Sequence, residues 1–160
     1  MTEAIARPSA RVLVVDESDR LLMLSGFDAE QDVTRWYVVG GGVQPGETHV
    51  EAALRDVREE TGLSGVTLGP EVWSGRPWVA VWDGVTDEVR QRYFLLRTPA
   101  FDIDTSGFEA YERSQVTGHR WWTVEGLQAT DDLLRPDGLA ELYAHLLTDG
   151  PPEQPLEVSG

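Results

Sequence analysis

The segment GGVQPGETHVEAALRDVREETGL, residues 41–63, constrains the fold of this chain more than any other. It begins with glycines and continues into a run whose apolar residues recur at helical spacing. Thr48 and Glu51 match a capping box, which starts a helix by satisfying its free N–H groups. Gly62 supplies the left-handed residue that often ends a helix. The segment therefore predicts one short helix that follows closely on a glycine-rich turn.

Acidic residues in this helix are expected to lie beside its buried side. Four apolar residues at positions i, i+3, i+4 and i+7 form a stripe that predicts the core-facing side: Val50, Ala53, Leu54 and Val57. At about 100° per residue, Asp56, Glu59 and Glu60 fall on an arc adjacent to that stripe. Their carboxylates are therefore expected to converge, and they could share one ligand.

Two interpretations of these acids remain open from the helix alone. Glu51, Arg55 and Glu59 are spaced four residues apart, which is typical of ion pairs on a solvated helix face. Asp56 and Glu60 have the same spacing but like charges, and near a protein surface two such charges about 4 Å apart repel by roughly 4 kcal/mol. A hard divalent cation with oxygen ligands would relieve that repulsion.

The residues before the helix favour a ligand. The run TRWYVV, residues 34–39, predicts a strand that leads directly into Gly40, Gly41 and Gly42. Glycines often mark only a tight turn, but they also let the backbone approach a ligand closely. In this position they are expected to bring main-chain carbonyl and N–H groups near the acids.

The rest of the chain predicts an α/β domain. Apolar or aromatic runs predict strands at residues 10–16, 20–24, 66–73, 77–83, 91–97 and 119–123, with a loop at 25–33. A second helix is predicted over 139–147, with Gly150 able to end it. Strands mixed with two main helices indicate a mixed sheet. We predict one domain over residues 1–150 and a flexible, acidic, proline-rich tail over 151–160.

Composition narrows the classes of partner. The formal charge of −15 disfavours a nucleic-acid polymer, whereas a small phosphate compound carried with a metal ion escapes that objection. The chain has no cysteine, so any metal must be held by oxygen or imidazole. No apolar run reaches the roughly 20 residues of a membrane span, and no signal peptide is evident. A cytoplasmic location is expected.

The same segment resembles the signature of the Nudix hydrolases, GX5EX7REUXEEXGU with U apolar. Gly41, Glu47 and the run RDVREETGL, residues 55–63, carry the match. Trp36 before the glycines and RWWTVEGL, residues 120–127, are also similar to the family. The resemblance implies the Nudix fold, a mixed β-sheet sandwiched between α-helices. It also implies hydrolysis, dependent on Mg²⁺ or Mn²⁺, of a nucleoside diphosphate linked to another group.

The resemblance also implies roles for individual residues. Asp56, Glu59, Glu60 and the Gly41 carbonyl would hold Mg²⁺, and Arg55 would pair with Glu47 or Glu59 to orient these ligands. Family members often add an acid from a later loop as a base or further ligand. The candidates for this acid are Glu109 and Glu112, and Glu112 is favoured because its distance from Trp121 suits such a loop.

Two residues depart from the family pattern. Val39 replaces a common proline, which matters little, but Asp56 replaces a glutamate and is one methylene shorter. The expected substrate is a nucleoside triphosphate, including oxidised forms, with ADP-ribose or a nucleotide sugar second. Asp56 keeps open an alternative, a catalytically weak nucleotide-binding or sensing module.

Three aromatic residues are candidates for stacking on a base, although aromatic residues in strands more often fill the core: Trp78, Trp82 and Tyr93. A third class of function, an acidic interaction domain without a metal site, predicts no response to Mg²⁺. A homodimer is the expected assembly, because dimers are common among the proteins that the chain resembles.

Overall fold

The computed structural model describes residues 8–29, 31–76, 78–82, 85–106 and 116–159. We label the elements within these residues in chain order. The strands are β1 (Ser9–Val15), β2 (Leu21–Asp28), β3 (Val33–Gly42), β4 (Glu71–Gly75), β5 (Trp78–Trp82), β6 (Val85–Val89), β7 (Gln91–Arg97), β8 (Gly118–Trp122), β9 (Leu133–Leu134) and β10 (Leu156–Val158). The helices are α1 (His49–Thr61), α2 (Val124–Ala129) and α3 (Leu139–Asp149).

Eight of these strands form one mixed sheet, in the order β10-β4-β7-β1-β2-β3-β9 with β8 beside β2. The sheet is mixed because β1 pairs in parallel with β7 and antiparallel with β2 and β3. Two short strands at its edges, β9 and β10, are parallel to β3 and β4. β5 and β6 form a separate antiparallel pair. Within the described residues, no helix is long and apolar enough to cross a membrane.

Each face of the sheet carries its own apolar cluster. Along β1, Val12 and Val14 point to the cluster that includes Ala53 and Val57 of α1. Leu13 and Val15 point the other way, to the cluster that includes Tyr143 of α3. This alternation follows from the two-residue period of a strand. The predicted fold class, a mixed β-sheet sandwiched between α-helices, is confirmed.

Two element predictions differ from the structure because of backbone pairing. Residues 25–33 were expected to be a loop, but β2 continues to Asp28 and pairs with the first residues of β3. Residues 66–73 were expected to be a strand, but β4 begins only at Glu71. Val66 and Leu68 nevertheless pack on the α1 side of the sheet. Apolar character therefore predicted their burial correctly and their backbone conformation wrongly.

The last residues also differ from the expected flexible tail. Leu156–Val158 form β10, which runs parallel to Trp73–Gly75 of β4. Val158 is 6% exposed and belongs to the apolar cluster on the α3 side. The Asp137 N–H donates to the Ser159 carbonyl at 2.7 Å. An edge strand offers unpaired backbone groups, so a short, proline-rich segment can still add to the sheet.

Candidate active site

Helix α1 begins and ends as its sequence predicts. The Thr48 side chain accepts from the Glu51 N–H at 3.0 Å, and the Glu51 side chain accepts from the Thr48 N–H at 2.9 Å. Gly62 closes the helix with φ 82°, and its N–H donates to the Arg58 carbonyl at 2.9 Å. Because Glu51 caps the helix, it is not the partner of Arg55 that its spacing suggested.

The buried face of α1 is rotated from the predicted stripe toward the acids. Val50 is 44% exposed and Leu54 is only half-buried, whereas Asp56 and Glu60 are each 3% exposed. The residues that are buried on α1 are Ala52, Ala53, Asp56, Val57, Glu60 and Thr61. The small side chains of Ala52 and Ala53 let the helix approach the sheet closely on this face. Two of the predicted metal ligands are therefore enclosed by the fold.

The glycine strand supplies the surface on which these two acids rest. The Gly40 N–H donates to Glu60 Oε1 at 3.2 Å. A Cβ at Gly41 would lie 3.3 Å from Asp56 Oδ2, so glycine leaves space beside this carboxylate that a side chain would occupy. Gly40 itself has φ 143°, and a Cβ there would lie 2.3 Å from the Ala10 carbonyl oxygen. Only glycine fits at Gly40.

Arg55 connects the remaining acids. Its Nε and Nη2 donate to the two carboxylate oxygens of Glu47 at 2.7 and 2.9 Å, and Nη1 donates to Asp56 Oδ1 at 3.1 Å. Nη1 also lies 3.6 Å from Glu59 Oε2, and Nη2 donates to the Gly42 carbonyl at 3.2 Å. The sequence left open whether Arg55 pairs with Glu47 or with Glu59. In the structure, Arg55 contacts both.

The bidentate pair with Glu47 is the strongest of these contacts electrostatically. The Arg55 guanidinium, together with the Gln44 N–H that donates to Glu47 Oε1 at 2.9 Å, lowers the pKa of Glu47 to about 2. Hydrogen bonding to Glu47 correspondingly raises the pKa of Arg55. Both groups are therefore charged at neutral pH, and the pair ties the loop before α1 to the middle of the helix.

The residues around Arg55 form an acidic cluster, which we define as Glu47, Asp56, Glu59 and Glu60. Three of its carboxylates contact the guanidinium of Arg55, and that of Glu60 accepts from the Gly40 N–H. Its donors are all oxygen, the set that Mg²⁺ and Mn²⁺ prefer, and the space beside Gly41 gives Asp56 room to turn. The residues therefore fit a hard divalent cation in their chemistry.

The helix geometry suggested that the acids converge, but in the structure they do not. Within the part of the chain that the structure describes, no three acidic or histidine side chains stand close enough together to hold an ion as they are arranged. Asp56 and Glu59 point toward Arg55, and Glu60 points toward Gly40. Of the three acids that Arg55 contacts, Glu59 has the longest contact, at 3.6 Å, and so is the least firmly held. The metal-ligand assignment stays a prediction.

The other predicted site residues are placed less favourably or lie outside the description. Tyr93 is 3% exposed and packs on Trp73, with ring centroids 5.7 Å apart, so it is a core residue and offers no surface for stacking. Burial raises its pKa. The following residues lie outside the described residues or have side chains that do: Trp78, Trp82, Glu109 and Glu112.

One residue near the site was missed in the sequence. Arg11 lies in the apolar run ARVLVV, and its Nη1 donates to the Gly40 carbonyl at 3.0 Å and to the Val38 carbonyl at 3.4 Å. A charged residue inside an otherwise buried strand was the available signal, because such a residue needs a partner.

Known proteins are similar to this chain over most of its length. The family model of the NUDIX domain matches residues 6–146. An RNA pyrophosphohydrolase of Novosphingobium aromaticivorans is 29% identical over 143 residues, covering 81% of this chain and 83% of that protein. Nucleoside triphosphatase NudI of an Enterobacter species is 29% identical over 100 residues, covering 61% of this chain and 67% of that protein.

A third relative matches over a shorter part of its own length. It is an uncharacterized Nudix hydrolase of Rhodococcus erythropolis, 34% identical over 92 residues, and the match covers 58% of this chain and 48% of that protein. This chain thus aligns with about half of the Rhodococcus protein.

The fold is shared with a solved structure as well. The dihydroneopterin triphosphate pyrophosphohydrolase of Escherichia coli superimposes with a TM-score of 0.60 at 21% identity, covering 88% of this chain and 94% of that chain. At this identity the likeness establishes the fold alone. The family model, which matches residues 6–146, shows that the chain belongs to the Nudix hydrolases, a family of pyrophosphohydrolases.

Proposed function

We propose that this protein is a Mg²⁺-dependent pyrophosphohydrolase that cleaves a nucleoside triphosphate to a nucleoside monophosphate and pyrophosphate. The observation that carries the proposal is the arrangement of the acidic cluster, in which three carboxylates share one guanidinium and two of the four acids are almost fully buried. Carboxylate oxygens grouped in this way are the donors that a hard divalent cation prefers. Such an ion supplies positive charge for a phosphate.

Three acids of the cluster and one backbone carbonyl have a proposed part in holding the ion. Asp56, Glu59, Glu60 and the Gly41 carbonyl would hold Mg²⁺, with Mn²⁺ as the alternative ion. When bound, such an ion neutralises phosphate oxygens and lowers the pKa of a coordinated water. Arg55 of the helix holds Asp56 and the Gly40 N–H holds Glu60, so both side chains are restrained near the glycine strand, and binding the ion would bring them together.

Arg55 and Glu47 are proposed to orient the ligands without touching substrate. The bidentate pair fixes the guanidinium, and the fixed guanidinium then limits the positions that Asp56 and Glu59 can adopt. Outer contacts of this kind typically change metal affinity or activity by about 10- to 100-fold. The loop acid that would serve as base, Glu112 or Glu109, remains a prediction from the resemblance.

The nucleoside triphosphate is favoured as substrate by the names of the relatives. One is a nucleoside triphosphatase, another an RNA pyrophosphohydrolase, and the similar solved structure is a pyrophosphohydrolase of a triphosphate compound. The net charge of −15 disfavours a long RNA and favours a small nucleotide. ADP-ribose and nucleotide sugars are the second choice. The cytoplasmic location and the homodimer remain predictions.

A substrate panel tests this proposal. The chain is incubated with the common and oxidised nucleoside triphosphates, ADP-ribose, a nucleotide sugar and a short RNA carrying a 5′-triphosphate, each with Mg²⁺ or with a chelator. The proposal expects a nucleoside triphosphate to be hydrolysed fastest, pyrophosphate as the released product, and no turnover without metal. Equal turnover in chelator, or inorganic phosphate as the first product, would contradict it.

The presence of Asp56 favours the alternative, a nucleotide-sensing module. The Asp56 carboxylate is shorter than the glutamate of the family signature, and Arg55 already engages it at 3.1 Å. If catalysis is limited by this short reach, Asp56→Glu should raise kcat several-fold. The sensing module instead predicts tight, Mg²⁺-assisted nucleotide binding by calorimetry with no turnover in either form.

A further inference from the structure

Arg11 reaches the acidic cluster through the backbone, from the other face of the sheet. Its neighbours Ala10 and Val12 belong to the apolar cluster on the α1 side, so the strand period directs Arg11 to the α3 side, as it does Leu13. Its charge acts on the buried Tyr93 of that side, partly opposing the rise in the Tyr93 pKa that burial causes. Arg11 therefore has no direct contact with the acids of α1.

The contacts of Arg11 bracket one peptide group. Nη1 donates to the Val38 carbonyl at 3.4 Å and to the Gly40 carbonyl at 3.0 Å. Between these two carbonyls lies the peptide that joins Val39 to Gly40, and its N–H donates to Glu60 Oε1 at 3.2 Å. The guanidinium thus binds the two peptide groups that flank the one whose N–H binds Glu60.

The glycine strand already pairs with β1 at Gly40, Gly41 and Gly42, and Arg11 adds side-chain hydrogen bonds to that pairing. Three consecutive glycines have the largest conformational freedom that a chain offers, and Gly40 adopts φ 143°, which few other residues tolerate. A Cβ at Gly40 would also lie 2.8 Å from Arg11 Cδ, so glycine is what lets the arginine stem pass over the strand. Hydrogen bonds from a charged donor are stronger than neutral ones, so Arg11 restrains these carbonyls effectively.

We infer that Arg11 is a positioning residue for the reaction: it fixes the Val38–Gly41 backbone so that the Gly40 N–H holds Glu60 and Gly41 stays beside Asp56. This inference rests on the proposed function for its link to turnover. The effect of Arg11 on metal binding can be measured without turnover. Nothing in the family signature covers this residue, which lies thirty positions before Gly41.

Removing Arg11 should change metal affinity in one direction if Arg11 positions the backbone, and in the other direction if only its charge matters. Removing a positive charge near an acidic cluster should strengthen cation binding by Coulomb attraction alone. Releasing the glycine strand should instead weaken it, because Glu60 loses a fixed partner. The sign of the change therefore separates the two effects.

The experiment compares Arg11→Met, Arg11→Lys and the parent. Methionine keeps an unbranched apolar stem and removes the donors, and lysine keeps the charge but cannot reproduce the planar guanidinium. Mn²⁺ affinity is measured by calorimetry, and Tm is measured by thermal unfolding. The constants kcat and KM are measured with the best substrate of the panel. We expect Arg11→Met to bind Mn²⁺ about tenfold more weakly and to lose about tenfold in kcat, with KM changed less than about twofold. Arg11→Lys should fall between it and the parent.

Arg92→Met is the matched control. Arg92 is also a sheet arginine, on the neighbouring strand β7, and it pairs with Glu71 at 3.7 Å, outside the acidic cluster. It should retain the Mn²⁺ affinity and kcat of the parent. An Arg11→Met protein that binds Mn²⁺ as tightly as the parent, or more tightly, would overturn the inference. A rise in KM alone would also overturn it, because Arg11 would then be a substrate contact.

The outcomes also separate this inference from the proposed function. If the parent hydrolyses no nucleotide, the proposed function fails, and the Mn²⁺ affinities of parent and variant still decide the role of Arg11. If the parent is active and Arg11→Met equals it in both measurements, only this inference fails. Should Arg11→Met not fold, Arg11→Lys decides: reduced Mn²⁺ affinity at an unchanged Tm supports positioning, and parental affinity refutes it.

Discussion

Two buried clusters of acid and arginine in this molecule differ in how their charges balance. In the hairpin between β1 and β2, Asp16 has a fully buried side chain and one arginine partner, Arg20. Asp16 Oδ1 accepts from the N–H groups of Ser18 and Arg20, both at 2.9 Å, and Oδ2 accepts from Arg20 Nε at 2.8 Å. One negative charge thus meets one positive charge and several aligned donors.

The acidic cluster of α1 has the opposite balance. Three carboxylates, those of Glu47, Asp56 and Glu59, share the guanidinium of Arg55, and the buried Glu60 accepts from a backbone N–H at 3.2 Å. A structural acid needs only the compensation that Asp16 already has. An excess of acids at a buried position is costly for stability, and such costs are found where function requires them. The comparison favours a stabilising role for Asp16 and agrees with the proposed role of the cluster as a site.

Removing the balanced pair of Asp16 and Arg20 is expected to have the largest effect. Asp16→Ala leaves the turn N–H groups without their acceptor, so we expect a free energy of unfolding lower by about 3 kcal/mol, measured by urea denaturation. Asp19→Asn is the control: it removes the exposed pair with Arg97, at 2.9 Å, and should cost about 1 kcal/mol or less. Equal losses in the two variants would mean that the buried geometry of Asp16 adds nothing.

The next effect is on activity alone. Glu60→Gln keeps an oxygen that can accept from the Gly40 N–H but removes a charge, so kcat should fall by about 100-fold while Tm stays the same or rises. Glu51→Gln, on the same helix, keeps its capping bond to the Thr48 N–H and should remain as active as the parent. Parental activity in Glu60→Gln would remove the acidic cluster from the reaction.

The smallest effect is a dependence of stability on pH that arises from Glu47. Its folded pKa is lowered from 4.5 to about 2, so the stability it contributes is complete above pH 4.5 and is lost as pH falls toward 2. The parent should therefore exceed Glu47→Gln in free energy of unfolding by up to about 1 kcal/mol at pH 6, and this difference should shrink below pH 4.5. A difference that stays constant from pH 6 to pH 3 would show that the Glu47 charge is not its source.

Local patterns predicted those features whose causes are local. The capping box at Thr48, the end of α1 at Gly62 and the second helix ending at Gly150 all follow from contacts within one turn, and all are present. The strand over residues 91–97 was predicted with its bounds, because its apolar run is bordered by polar residues. Residues 25–28 and 66–70 were predicted wrongly, because strand pairing depends on a partner that is remote in sequence.

The same distinction holds for the candidate site. Helix spacing placed Asp56, Glu59 and Glu60 on one arc, and the contact of Arg55 with Glu59 follows from the same spacing. The pairing of Arg55 with Glu47, which lies before the helix, was implied by the family resemblance. The sequence did not predict that Asp56 and Glu60 would face inward, and it did not find Arg11. Both depend on how closely α1 and β1 approach the glycine strand, which is a matter of packing.

The sequence by itself determined the family and the helix with its caps, and it predicted the set of oxygen ligands, because these depend on residue types at short, regular spacings. Only the tertiary structure decided that two of the acids are buried, that β10 completes the edge of the sheet, and that Arg11 reaches Gly40 from the opposite face. These features join residues that are distant along the chain. They depend on burial and on backbone pairing across the sheet, which no local spacing encodes.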